Sequence, residues 1–170
     1  MFFKKKKAEP EKVTAVETPA ATAESEGGQN LDLLYLKNVK VDGKAANKEE
    51  AIRMVGQMLV DTGYVDPSYV DGMVEREKTF STYMGSGLAL PHGVEAAKKA
   101  VKASGIAVVV FQDGVDWGGE TAEIVVGIAG VGDEHLNILS NIAEVMMDDE
   151  RVKDLYSKDA QKIYALLTAN

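Results

Sequence analysis

The sequence predicts an α/β domain, with one mixed central sheet of about five strands flanked by helices. Three observations point there. Two compact runs rich in β-branched residues, 106–111 and 124–129, have the length and composition of buried strands. Around them lie segments whose apolar residues recur every three or four positions, the period of an amphipathic helix. Gly, Pro, Asp and Asn punctuate the boundaries, and no internal repeat is present.

Taken in order, residues 1–30 read as a disordered tail and residues 31–170 as one domain. Residues 8–29 are rich in Ala, Glu, Thr and Pro, which bury too little apolar surface to offset the entropy of ordering. The tip differs. Phe2 and Phe3 beside Lys4, Lys5, Lys6 and Lys7 suit weak contact with an anionic membrane, at roughly 1 kcal/mol per lysine near the surface. A strand or extended entry segment is expected over 33–41, closed by Asp42-Gly43. Asn47 then caps a helix, with Glu50 reaching back as the third residue of a capping box. Its apolar face is Ile52, Val55, Met58 and Leu59, and Gly63 ends it. Asp66-Pro67 opens a second helix with Pro67 at its first position and Tyr69, Val70, Met73 and Val74 inward.

Residues 79–87 read as loop or irregular strand, and 88–90 as a short apolar segment that delivers His92 just past its end. A short helix is expected over 94–101. The two β-branched strands follow, with turns marked by Asp113-Gly114 and Gly118-Gly119. Asp133 is positioned to cap a helix with the face Leu136, Leu139, Ile142, Ala143 and Met146. A last helix follows Asp159, with Ile163, Leu166 and Leu167 inward.

Composition narrows the function classes. The chain has no cysteine, which removes disulfides, thiol nucleophiles and zinc–thiolate sites and fits a reducing cytoplasm. No apolar run reaches the ~18 residues of a membrane span, and no apolar segment of a secretory signal follows the first lysines. The net charge is −8. Residues 1–30 hold five lysines against five glutamates, so residues 31–170 carry all of it. That argues against nucleic acid, which needs a positive surface. It permits steering toward a basic protein partner.

Only two histidines are present, and both fall at element boundaries. His92 lies in Leu90-Pro91-His92-Gly93, between a proline that restrains the chain and a glycine that leaves space beside the ring. A phosphoryl carrier needs a nucleophile unprotonated near neutral pH, and imidazole meets that need. It also needs donors or positive charge around the phosphoryl oxygens. His135, in the first turn of its expected helix, sits where free amides and the helix dipole favour an anion. Arg76 can approach from the end of the second helix with a guanidinium fork that matches phosphate. Ser81, Thr82 and Ser86 add hydroxyl donors. A metal reading would join His92, His135, Asp133 and Glu134, but the close histidine pair of a zinc helix is missing. Gly85-Ser86-Gly87 has neither the lysine of a phosphate loop nor dinucleotide spacing, so no cofactor and no metal are expected.

Residues 76–93, REKTFSTYMGSGLALPHG, resemble the active-site signature of the mannitol/fructose class of enzyme IIA from the bacterial sugar phosphotransferase system. Residues 127–136, GIAGVGDEHL, and 63–67, GYVDP, are similar to two further segments of that family, in the same order and spacing. The resemblance spans about 31–168 and implies a five-stranded mixed sheet and a phosphoryl relay. It implies that His92 takes phosphate from the phosphocarrier HPr and gives it to a cysteine of a IIB domain, here that of a mannitol permease. It gives His135 and Arg76 phosphoryl-stabilising roles. Val94 departs from the small polar residue of many relatives, and Leu88 and Leu90 are bulkier than usual. The alternative reading is a regulatory binding module that reports phosphorylation at His92 and feeds no transporter.

Overall fold

Alternation along two long strands sets the architecture. The computed structural model describes residues 31–169, and residues 1–30, with Phe2, Phe3 and Lys4 to Lys7 for which membrane contact is expected, lie outside them. The elements are β1 (Val39–Gly43), α1 (Lys48–Thr62), α2 (Ser68–Thr79), β2 (Tyr83–Gly85), β3 (Leu88–Ala89), β4 (Gly105–Asp116), β5 (Thr121–Ala129), α3 (Glu134–Met146), α4 (Arg151–Leu155) and α5 (Ala160–Thr168). Short 3-10 helices cover Leu36–Asn38 and Glu95–Ala100. The five strands form one sheet in the order β1-β4-β5-β3-β2. β1 is parallel to β4, β4 antiparallel to β5, β5 parallel to β3, and β3 antiparallel to β2.

Successive side chains of β4 and β5 enter opposite cores. Ile106, Val108, Val110, Ile124, Val126 and Ile128 pack with Ile138, Ile142, Val145, Leu155, Ile163 and Leu166 of α3, α4 and α5. Val109, Phe111 and Val125 face Ile52, Val55, Leu59 and Met73 of α1 and α2. Both strand faces are covered, which is why these runs are almost wholly apolar. Each fully buried aliphatic side chain contributes about 1.5–3 kcal/mol. Among the described residues no helix is long and apolar enough to cross a membrane.

Local chemistry sets most boundaries. Asn47 Oδ1 accepts from Glu50 N at 2.9 Å. Glu50 returns the bond to Ala46 N, one residue before the position a capping box predicts. Gly63 closes α1 at φ 95°, the left-handed conformation that favours glycine. Pro67 has helical backbone angles, as expected at a first position. Asp159 caps α5 through Gln161 N and Lys162 N.

Other expectations are corrected. Only the end of 33–41 is strand, because Leu36–Asn38 winds into a 3-10 turn first. Asp113-Gly114 is not a turn between strands. Gly114 adopts φ 73° within β4, the register shifts there as in a bulge, and pairing resumes at Val115 with Ala122. The turn belongs to 117–120, where Trp117 N donates to Glu120 O at 2.6 Å. Asp133 makes no capping bond with its side chain. The short α4 is an addition, opened by Asp148 Oδ1 accepting from Glu150 N and Arg151 N.

Candidate functional site

The backbone places His92 at the growing end of β3. Leu90 N donates to Thr82 O at 3.0 Å and Ile128 N donates to Pro91 O at 2.9 Å, so residues 90–91 prolong β3 beside β5. His92 itself pairs with Ile128 as a parallel bridge. Its Nδ1 stands 2.8 Å from Leu90 O. A carbonyl oxygen only accepts, so Nδ1 bears the hydrogen and Nε2 keeps its lone pair. Burial lowers the His92 pKa from its ordinary value, opposed by the Leu90 bond and reinforced by the charges of Arg76 and His135. The ring is therefore neutral at pH 7 and half-buried.

The second imidazole arrives from the opposite helical layer. His135 occupies the first turn of α3, and its ring centroid is 6.1 Å from that of His92, with the planes tilted by 32°. His135 Nδ1 is buried and has no hydrogen-bond partner among the described residues. Gly130 makes this approach possible, because a Cβ there would collide with the His135 backbone.

Arg76 leaves the last turn of α2. It is not absorbed by its flanking glutamates: Glu75 accepts from Lys78, and Glu77 is buried. One guanidinium nitrogen donates to Phe80 O at 2.8 Å, and the group lies 5.6 Å from the Phe80 ring centroid. Arg76, His92 and His135 line one open cavity of about 580 Å³, together with Ser81, Thr82 and Lys98. The three residues chosen from sequence thus converge. Ser86 does not join them; its carbonyl accepts from Tyr156 Oη at 2.6 Å on another part of the surface.

Three further residues shape the site. Lys98 Nζ donates to Asp133 Oδ1 at 3.3 Å and lies 3.4 Å from Glu95, tying the segment after His92 to the start of α3. Glu77 accepts from Thr82 N at 3.0 Å, Thr82 Oγ1 at 2.5 Å and Trp117 Nε1 at 2.9 Å, anchoring one cavity wall to the core. Tyr69 contacts the chain on both sides of the sheet extension, through Gly93 N and Ile128 O. The hint for Glu77 was its place beside Arg76, whereas the long sequence separations of Lys98–Asp133 and Tyr69–Ile128 leave no local signature. Asp133 and Glu134, carboxylates of the metal reading, are engaged by Lys98 and by Ser104 respectively.

The chain has relatives among known proteins. Residues 32–170 match the profile of the family described as phosphoenolpyruvate-dependent sugar phosphotransferase system, EIIA 2. A mannitol-specific phosphotransferase enzyme IIA component of Halalkalibacterium halodurans is 50% identical over 136 residues, 79% of this chain and 94% of its own length. Its Bacillus subtilis counterpart is 44% identical over 133 residues, 78% of this chain and 93% of its own length. A structure of the Escherichia coli complex of enzyme IIAMTL and phosphorylated enzyme IIBMTL matches with a TM-score of 0.75 at 35% identity, covering 82% of this chain and 100% of that one. The crystal structure of IIA mannitol from the same organism gives 0.71 at 36% identity, covering 79% of this chain and 98% of that one. With a family profile over the whole described domain and half its residues shared with a relative of similar length, the chain belongs to the EIIA 2 family of the phosphoenolpyruvate-dependent sugar phosphotransferase system, as a IIA phosphotransferase component.

Proposed function

We propose that this chain carries phosphoryl groups for mannitol uptake, accepting them from HPr on His92 Nε2 and passing them to a cysteine of a IIB domain in the cytoplasm. The observation that carries the reading is the bond from His92 Nδ1 to Leu90 O, which leaves Nε2 as the nucleophile. The Nε2 lone pair attacks phosphorus as the bond to the HPr histidine breaks in line, and the electron pair of that bond returns to HPr. His92 keeps its Nδ1 proton, so the phosphorylated ring is cationic and leaves readily. The IIB thiolate then attacks phosphorus, the N–P bond breaks, and neutral His92 is restored. His135 and Arg76 stabilise the phosphoryl oxygens as negative charge develops.

The surroundings suit protein substrates. The cavity is open, its lining residues Met84 and Leu136 are large and apolar and exposed, and the exposed Phe80 ring lies beside Arg76. An apolar rim with a polar centre is what a protein partner covers. The names of the similar proteins support mannitol as the sugar and a IIB domain as the acceptor. The test is incubation with labelled phosphoenolpyruvate, enzyme I and HPr, followed by addition of mannitol IIB. Acid-labile label on His92 that moves to IIB is expected. Label surviving His92→Ala overturns the site, and label on His92 that never discharges to IIB overturns the transport role.

A further inference from the structure

A side-chain hydroxyl stands where a rung of the sheet belongs. In a parallel ladder, the residue opposite His92 donates its N–H to the residue before His92 and accepts from the residue after it. Ile128 makes the first bond directly, to Pro91 O at 2.9 Å. The second is interrupted. Gly93 N donates to Tyr69 Oη at 2.8 Å, and Tyr69 Oη donates to Ile128 O at 2.8 Å. The hydroxyl oxygen thus bridges Gly93 N and Ile128 O, which make no direct hydrogen bond of ordinary geometry with each other. The chain is therefore joined to β5 directly before His92 and through the Tyr69 hydroxyl after it.

The surroundings are built for this insertion. Tyr69 is only 3% exposed, and burial pushes its pKa up to about 12, so its hydroxyl keeps the proton it donates. Gly93 has no side chain for the ring to meet; a Cβ there would lie 2.6 Å from Tyr69 Cε1. This gives Gly93 a different purpose from the open approach to His92 expected from sequence. It admits the tyrosine.

We propose that Tyr69 is a positioning residue for phosphoryl transfer, its hydroxyl wedged between the His92 segment and β5 so that the imidazole is turned out toward His135 and Arg76. This rests on His92 as the phosphoryl acceptor. Tyr69→Phe keeps the ring and removes the wedge, allowing Gly93 N and Ile128 O to close directly.

The experiment begins with the wild-type chain, HPr, enzyme I and phosphoenolpyruvate. No label on His92 there is a failure of the acceptor reading and not of the wedge. With labelling established, Tyr69→Phe is expected to lower kcat for phosphorylation by HPr about 10- to 50-fold and to leave KM within about twofold. Replacing Tyr69 by 4-aminophenylalanine, whose amino group can donate to Ile128 O and accept from Gly93 N, is expected to restore most of kcat. A folded Tyr69→Phe protein with kcat within twofold of wild type overturns the proposal, as does a fall that 4-aminophenylalanine does not reverse. Should Tyr69→Phe fail to fold, NMR of the wild-type chain decides. A slowly exchanging Tyr69 hydroxyl proton with a cross-peak to the Gly93 amide supports the wedge, and through-hydrogen-bond coupling from the Gly93 amide to the Ile128 carbonyl overturns it.

Discussion

The strand end that carries His92 and the helix start that carries His135 bring two identical side chains within 6.1 Å by opposite means. His92 is held by backbone: its Nδ1 is bound to Leu90 O, and residues 90–92 run along β5. His135 is held by its place at the head of α3, with Nδ1 buried and unpartnered among the described residues. One imidazole has its tautomer assigned before any partner arrives. The other has a ring nitrogen with no partner among the described residues, on a side chain that lines the same cavity. The difference separates the proposed nucleophile from the proposed stabiliser more clearly than residue type does, since the residue type is the same.

The comparison can be broken most severely at His92. His92→Gln removes the proposed nucleophile, and phosphorylation measured with labelled phosphoenolpyruvate, enzyme I and HPr is expected to vanish. His135→Ala is expected to lower the transfer rate by about 10²–10³-fold, the usual cost of losing one donor to a developing oxyanion, while stopped-flow kinetics still detect phosphorylated His92. Equal losses from the two substitutions would erase the distinction. Gly130→Ala acts on the helix side only, because its Cβ collides with the His135 backbone. It is expected to slow transfer about 10-fold through the displaced His135, with phosphorylated His92 still detected by NMR.

The smallest effect is a titration. Burial lowers the folded pKa of His92 from 6.5, so the rate of phosphoryl acceptance should rise through a midpoint below 6.5 and level off as pH rises beyond it. Stability follows the same sign. Below 6.5 the unfolded chain takes up a proton that folded His92 resists, so stability falls as pH drops from 6.5 toward the folded value. As pH rises beyond 6.5 this contribution fades. Chemical denaturation of wild type and His92→Gln at pH 5.5 and 7.5 checks this, and the pH dependence should be weaker in the variant.

Much of the fold was legible wherever local chemistry decides it. Asn47 with Glu50, Gly63, Pro67 and Asp159 marked helix ends, and the β-branched runs marked the central strands. Reading failed where one glycine served a different geometry from the usual one. Gly114 beside Asp113 has the composition of a turn, yet its left-handed backbone is absorbed as a bulge because Val115 still has Ala122 to pair with. Asp133 has the composition of a cap, yet Lys98 engages its carboxylate from another segment.

The same division runs through the site. His92, His135 and Arg76 could be chosen by residue type and by their places at element ends, since proline, glycine and helix termini advertise accessible backbone. Their convergence, the Leu90 bond that selects Nε2, and the hydroxyl of Tyr69 between Gly93 and Ile128 belong to the tertiary structure alone. Caps and strand runs depend on neighbours a few residues away, so the amino-acid order determines them by itself. A tautomer and a ring direction depend on which carbonyl lies within 3 Å in space, and only the packing of α2 and α3 against the sheet decides that.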